Sequence, residues 1–247
     1  MLNQFSRTEL LYGSEAVQRL KDSRVAIFGV GGVGGYAAEA IARSGVGNID
    51  LIDNDTVAVT NLNRQIIALH STLGRSKVQV MKERILDIYP DCRVNTFELF
   101  FNEATASEFD FSVYDYVVDA IDSVKSKILL AEICTRQGVR LISSMGAGNK
   151  LDPTRFEIAD ISKTSYDPLA KVMRRELSKR GIRHLTVVYS KEQPVKINPD
   201  DVRYLLDEED LKKRTIPASN AIVPSAAGLI IASKVINDLG SKDGKRT

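Results

Sequence analysis

Cysteine is scarce in this chain: Cys92 and Cys134 are the only two among 247 residues, and they lie far apart. Two distant cysteines exclude a disulfide framework and a zinc quartet, so the cytoplasm is the expected location. An excess of one charge is lacking as well. Thirty-four Lys plus Arg against 32 Asp plus Glu leave a formal net charge of +2. That is too near balance to name a polyanionic partner, although a local patch can still bind nucleic acid. No basic flank followed by an apolar core opens the chain, and the most apolar late stretch, 222–236, is interrupted by Lys234. It falls short of a membrane span, and no membrane association is expected. The 43% of hydrophobic residues suffices for a sizeable core, in one large domain or one domain with an elaborated second half.

What the chain does have is concentrated at 24–55. Residues 24–28 are predicted as a short buried strand, and Gly29, Gly31 and Gly34 follow at the G-x-G-x-x-G spacing. An Ala-rich helix to Ser44 then leads to a second apolar strand that ends at Asp53. This is the pattern of a βαβ nucleotide unit. The first glycine permits a tight turn, the second lets backbone approach a phosphate, and the third lets the helix lie close to the sheet. Taken alone, the loop fits a dinucleotide, another nucleotide or a structural turn.

Context adds polar residues in order. Asp53 stands where a carboxylate can accept hydrogen bonds from ribose hydroxyls. Asn61, Arg64 and Lys77 follow, and a triphosphate could pair all three; an exposed loop leading into a charged helix over 77–87 is the plainer reading. The order G-x-x-x-x-G-K-[ST] is absent, which removes a P-loop. The stretch 114–123 is predicted to deliver Asp119 and Asp122 at the carboxyl end of a strand. There Asp122 could hold Mg²⁺ beside phosphates, and Asp119 could brace the loop.

Further on, a helix over 125–138, a strand over 140–145 and the loop of Gly146 and Gly148 continue the alternation. Together these predict a Rossmann-like α/β fold, mostly parallel, with helices on both faces. The Gly146 loop could hold a second substrate or be a plain turn, and Cys134 belongs to the core rather than to a nucleophile. The second half changes character: an extended segment at 155–164, a basic helix at 168–181, a strand at 184–190 and a closing helix near 225–239. Lys171, Arg174, Arg175, Lys179 and Arg180 face a single Glu176 on the basic helix. This is either an RNA footprint or a solvated helix face. The stretch 8–22 is predicted as one helix, the strand after Pro90 as 93–100, the run 207–214 as surface and the tail 241–247 as frayed.

The ordered set GVGGVG (29–34, including Gly32), Asp53, NLNR (61–64), Lys77 and DAIDS (119–123) resembles the ubiquitin-activating-enzyme-like adenylating superfamily, over roughly residues 7–145. The resemblance implies that the glycine loop and Asp53 hold ATP, that Asn61, Arg64 and Lys77 contact its phosphates, and that Asp122 assists through Mg²⁺. It also implies a homodimer in which Arg7 reaches the neighbouring protomer's phosphate site. A finer likeness, carried by QFSRTELLYG, TNLNRQI, DAIDSVKSK and SSMGAGNKLDPTRFEIADISKT, is to the tRNA threonylcarbamoyladenosine dehydratases. That likeness implies a modified tRNA as substrate; with it, the modified adenosine is expected near the Gly146 loop and the RNA against the basic helix, at Lys171, Arg174, Arg175 and Lys179. It divides the chain into an ATP-binding adenylating core, 1–150, and a substrate and assembly portion, 151–247, packed on the same domain. The alternatives are an activator with a sulfur-carrier protein partner, whose paired C-x-x-C zinc motifs are missing here, and an NAD-dependent oxidoreductase.

Overall fold

The strand-forming stretches are short apolar runs such as VAIF and YVVD, buried on both faces, as a parallel sheet between helices requires. The computed structural model describes residues 2–202, 205 and 218–241. In it these runs form β1 (Arg24–Phe28), β2 (Asn48–Ile52), β3 (Arg93–Phe97), β4 (Tyr116–Asp119), β5 (Leu141–Ser144), β6 (Phe156–Asp160) and β7 (Thr186–Ser190). One seven-stranded sheet results, in the order β3-β2-β1-β4-β5-β7-β6. All neighbours run parallel except β6, which pairs antiparallel with β7. The Rossmann-like expectation holds. Chain order reverses at β1, which has β2 on one side and β4 on the other, so the ligand crevice of such a sheet opens beyond their carboxyl ends.

The helices are α1 (Ser6–Tyr12), α2 (Ser14–Asp22), α3 (Gly34–Arg43), α4 (Lys77–Ile88), α5 (Val124–Gln137), α6 (Pro168–Ser178), the short α7 (Pro199–Val202) and α8 (Ile222–Gly240). Alternation along β1 sends Val25 and Ile27 into a core with α3, α4 and α8. Ala26 and Phe28 go to the opposite face with α5. Phenylalanine is concentrated there: the Phe28 ring lies 4.8 Å from Phe101, 5.4 Å from Phe109 and 5.9 Å from Phe111. Beneath α6, Met173 and Leu177 close a third cluster with Val187 and Tyr189.

Several boundaries differ from the sequence reading. The expected single helix at 8–22 is two, because Gly13 takes φ +84° and turns the chain between α1 and α2. The strand read as 93–100 ends at Phe97. The closing helix is longer than expected, and its 19 residues are apolar and long enough to cross a membrane by length and composition. Its Val223, Ala227, Ile231 and Val235 are instead buried in the core beside α3. Gly228 permits that approach, since a Cβ there would stand 2.3 Å from the Val33 carbonyl. The second half is no separate layer, for β6 and β7 extend the same sheet. The charged run 207–214 and residues 242–247 lie outside the described residues.

Candidate functional site

The glycine loop joins β1 to α3, and each glycine has its own reason to be there. Gly29 has φ +91°, and a Cβ on it would lie 2.6 Å from the Ala120 carbonyl oxygen at the end of β4. On Gly34 a Cβ would lie 1.8 Å from the Gly29 carbonyl oxygen, so only glycine lets α3 start this close to the strand. Gly31 is different. The nearest atom to a Cβ there is Gln65 Nε2 at 3.8 Å, which leaves the backbone open to a ligand. Gly32 packs under Pro224 and Arg64: a Cβ on it would lie 3.2 Å from Pro224 Cβ and 3.4 Å from Arg64 Cγ. The N–H groups of Gly31, Gly32 and Val33 have no acceptor within the described residues, and α3 has no side-chain cap. Free N–H groups at a helix start favour an anion.

Asp53 follows β2 and pins this loop from below. Its Oδ2 accepts from Val30 N at 2.7 Å and its Oδ1 from Asp55 N at 2.9 Å. Burial pushes its carboxyl above the ordinary carboxylate range, against the opposing charge of Lys77. Each oxygen keeps a lone pair for a hydroxyl. Lys77, the first residue of α4, is brought alongside by a bridge between Thr56 and Ser76, and its Nζ donates to Asp55 Oδ2 at 2.7 Å. It is buried, whereas Asp55 is exposed. Asn61 is buried too and accepts from Ala58 N at 3.0 Å. Arg64 is half-buried beside Gly32, and its Nη1 donates to the Thr60 carbonyl and Asn63 Oδ1 at 2.8 and 2.9 Å. Nε and Nη2 have no acceptor within the described residues. Burial lowers the Arg64 pKa, yet a guanidinium remains charged at any physiological pH.

Beyond β4 the two aspartates differ. Asp119 is fully buried; it accepts from Ser143 Oγ, from Ile121 N at 3.2 Å, and pairs with Lys127 Nζ at 3.0 Å. It braces the loop. Asp122 is exposed and has no ion pair among the described residues. No group of three or more His, Cys, Asp or Glu able to hold a metal ion occurs among the described residues. A single free carboxylate suits a cation that arrives with phosphate oxygens, as Mg²⁺ does, rather than a protein cage.

The Gly146 loop is built, not slack. Lys150 Nζ donates to the Gly146 carbonyl at 2.6 Å and to Asp167 Oδ2 at 2.8 Å, with both side chains of the ion pair fully buried. Asn149 N donates to the Ala218 carbonyl, and Asn63 Nδ2 donates to Ser219 O at 3.1 Å. The segment before α8 therefore ties the Gly146 loop to the Arg64 segment.

The remaining candidates from the sequence divide. Arg7 is exposed on α1, a helix that buries none of its own residues. Lys171 is exposed, while Arg175, Lys179 and Arg180 converge on Glu176 and Arg180 also reaches Glu132. Arg174 needs correction as a free RNA contact. Its Nη1 points inward and donates to the carbonyls of Thr164 and Ile161 at 3.0 and 3.3 Å, because the turn at 161–164 aims these acceptors at α6; the Ile161 carbonyl also accepts from Thr164 N and Oγ1. Cys92 and Cys134 are buried, and burial pushes both thiols up to about 12, so neither supplies a thiolate at neutral pH. Sequence reasoning missed Asp55, Gln65, Lys127 and the Lys150–Asp167 pair. A lysine on the apolar face of a predicted helix, as Lys127 is, was the available signal.

The family model described as ThiF family matches residues 5–242. A tRNA threonylcarbamoyladenosine dehydratase of Bacillus subtilis is 52% identical over 243 residues, covering 97% of this chain and 95% of that protein. One from Escherichia coli is 45% identical over 173 residues, 70% of this chain and 65% of that protein. The crystal structure of the E. coli tRNA N6-threonylcarbamoyladenosine dehydratase TcdA in complex with ATP superposes with a TM-score of 0.85 at 36% identity, covering 98% of this chain and 95% of that one.

Proposed function

The chain belongs to the ThiF family, and from that premise we propose that it carries out the ATP-dependent dehydration of threonylcarbamoyladenosine in tRNA. The observation that carries this reading is the near full-length match to a dehydratase, over a crevice whose glycine-loop N–H groups stand open beside Arg64 and Lys77. The threonyl carboxylate is a poor electrophile, because its leaving group would be oxide or hydroxide. Attack of that carboxylate on the α-phosphate of ATP forms an acyl adenylate and releases pyrophosphate. A carbamoyl atom of the same modification then attacks the acyl carbon, expels AMP and closes a ring, so that the elements of one water are lost overall.

In this scheme the N–H groups of Gly31, Gly32 and Val33 take phosphate oxygens, and Asp53 takes the ribose hydroxyls. Arg64 offers Nε and Nη2 as a fork, and Lys77 adds a fixed positive charge that Asp55 already orients. Asn61 completes the phosphate set. Charge that develops on the leaving pyrophosphate meets donors already in place, which lowers the barrier without reorganisation. Asp122 is the residue that would hold Mg²⁺, which when bound neutralises phosphate charge. Holding adenylate and carbamoyl group together supplies proximity for ring closure. Residues 1–150 serve nucleotide chemistry, and 151–247 serve substrate and assembly, with Gly146 close to the modified adenosine. Lys171, Arg175 and Lys179 remain the backbone-binding face of α6.

A twofold homodimer fits the N-terminus: Leu10 and Leu11 are 88% and 78% exposed on α1 beside Arg7, an apolar face that a second copy would cover. Arg7 then reaches the neighbouring phosphate site. The cytoplasm suits an enzyme of tRNA with two buried free thiols. Incubation with threonylcarbamoylated tRNA, ATP and Mg²⁺ tests the activity. The nucleoside should become lighter by one water as AMP accumulates; an unchanged mass with both substrates bound overturns the reading.

A further inference from the structure

The carboxyl edge of the sheet extends past the nucleotide crevice. Parallel pairing puts the ends of β1, β2, β4, β5 and β7 on one edge, and antiparallel β6 begins there, with Phe156 opposite Ser190. Arg155 and Lys191 flank that pair and are joined by a hydrogen bond from Lys191 N to the Arg155 carbonyl at 3.1 Å. Both therefore share an edge with the glycine loop, Asp122 and Gly146. Beside them is a cavity of about 390 Å³ lined by Arg155, Tyr166, Lys191, Glu192 and Gln193.

Tyr166 is the unusual member. Its φ is +58°, a left-handed conformation that bulky residues rarely adopt, and the residue is 64% exposed. Strain and exposed aromatic area are both unfavourable, so the surroundings must hold the residue there. They do. The next residue, Asp167, is locked by the dry pair with Lys150, whose ammonium also holds the Gly146 carbonyl. Tyr166 is thus one residue away from the group that anchors the substrate loop. One cation is left over for an anion beside the ring: Arg155 is exposed with no ion pair among the described residues, whereas Lys191 is held by Glu157 at 2.6 Å. Glu192 keeps its negative charge but is fixed in direction, since its carboxylate accepts from Leu151 N and Asp152 N at 2.9 and 3.0 Å.

We propose that this cavity receives an unpaired nucleotide of the tRNA, adjacent to the modified adenosine, with its base stacked on Tyr166 and its phosphate on Arg155. The proposal rests on the tRNA reading above and adds a second nucleotide site to it. An aromatic face beside a guanidinium is the usual platform for single-stranded bases, and a loop base next to the adenosine, once unstacked from it, can be taken up by such a face. Stacking tolerates any base, while the Gln193 amide can contact a base edge.

The test uses the full-length protein and a threonylcarbamoylated anticodon stem-loop with 2-aminopurine next to the modified adenosine. Binding should quench the fluorophore with the native protein and with Tyr166→Phe, and should not with Tyr166→Leu. Tyr166→Leu should also bind the stem-loop roughly 10-fold more weakly. ATP binding and the thermal midpoint should stay unchanged, and Arg155→Gln should reduce the salt dependence of stem-loop binding. Equal quenching with Tyr166→Leu, or unaltered affinity, while dehydration proceeds, overturns the cavity assignment alone. A native protein that binds but never dehydrates refutes the tRNA reading and this proposal with it.

Discussion

Gly34→Ala and Gly31→Ala separate the two tasks of the glycine loop. At Gly34 the new methyl carbon would stand 1.8 Å from the Gly29 carbonyl oxygen and 3.2 Å from Ala120 Cβ. The first contact is backbone, and it is shorter than a real Cβ contact by roughly 1 Å or more, so the start of α3 must move away from β1. Overpacking of this kind costs about 3 kcal/mol, the upper part of its usual range, because no flexible side chain can give way. For a chain of this length that lowers the thermal midpoint by roughly 6–12 °C. Gly31→Ala meets only Gln65 Nε2 at 3.8 Å, an ordinary contact, so the midpoint should barely change. The methyl would nevertheless occupy the space a phosphate needs, and ATP affinity should fall by about 10-fold or more. Differential scanning calorimetry and ATP titration of both variants read the two effects. Equal midpoints for the two variants, or native ATP binding by Gly31→Ala, would refute the division of labour.

Arg64→Ala and Lys77→Ala should each slow adenylation on the order of 100-fold, about 3 kcal/mol, with tRNA affinity kept; pyrophosphate release in single turnovers checks this. Charge reversal at Lys171, Arg175 and Lys179 together should weaken tRNA binding and flatten its salt dependence, whereas Arg174→Glu should instead destabilise the fold by breaking its bonds to Thr164 and Ile161. Burial raises the Asp53 pKa, so ionisation of Asp53 subtracts from stability as pH rises through that value, and urea titrations against pH should lose this dependence in Asp53→Asn. Adenosine, which lacks phosphates, should bind less well as pH falls through the same raised pKa, since only the carboxylate accepts from both ribose hydroxyls. Lys150→Ala should cost about 3–5 kcal/mol by stranding Asp167 as a buried charge, and denaturant unfolding that moves by less than about 1 kcal/mol would count against the dry pair.

Much of the nucleotide half is legible in the sequence because its signals are local. Gly29, Gly31 and Gly34 are read from spacing, and β1, β2 and β4 from apolar runs of the right length, ending just before Gly29, just before Asp53 and on Asp119. The N-terminal stretch reads as one helix because Gly13 sits inside an otherwise helical pattern, and only its positive φ reveals the break. The placement of β6 and β7 in the main sheet is not legible, since strand order depends on contacts between distant segments rather than on either strand's composition. Arg174 shows the same limit. On a helix drawn from sequence it is one of five cations, and only the turn at 161–164, placed by the Ile161–Leu185 backbone bond, supplies the acceptors that draw it inward.

The lysines that sequence reasoning missed share a physical role. Lys127 with Asp119 and Lys150 with Asp167 are both ion pairs withdrawn from water, one beneath the loop after β4 and the other beneath the loop after β5. A dry ion pair is a poor way to gain stability, because apolar residues of the same volume commonly do as well or better. What a pair does that leucine cannot is fix direction, and here each ammonium also holds a loop carbonyl: Lys127 that of Ile121, Lys150 that of Gly146. The two carbonyls belong to the loop that carries Asp122 and to the Gly146 loop, which follow the neighbouring strands β4 and β5. In the function proposed above these loops hold a triphosphate and a tRNA base, a task that needs fixed direction more than extra stability, and burial of charge at these two strand ends supplies it.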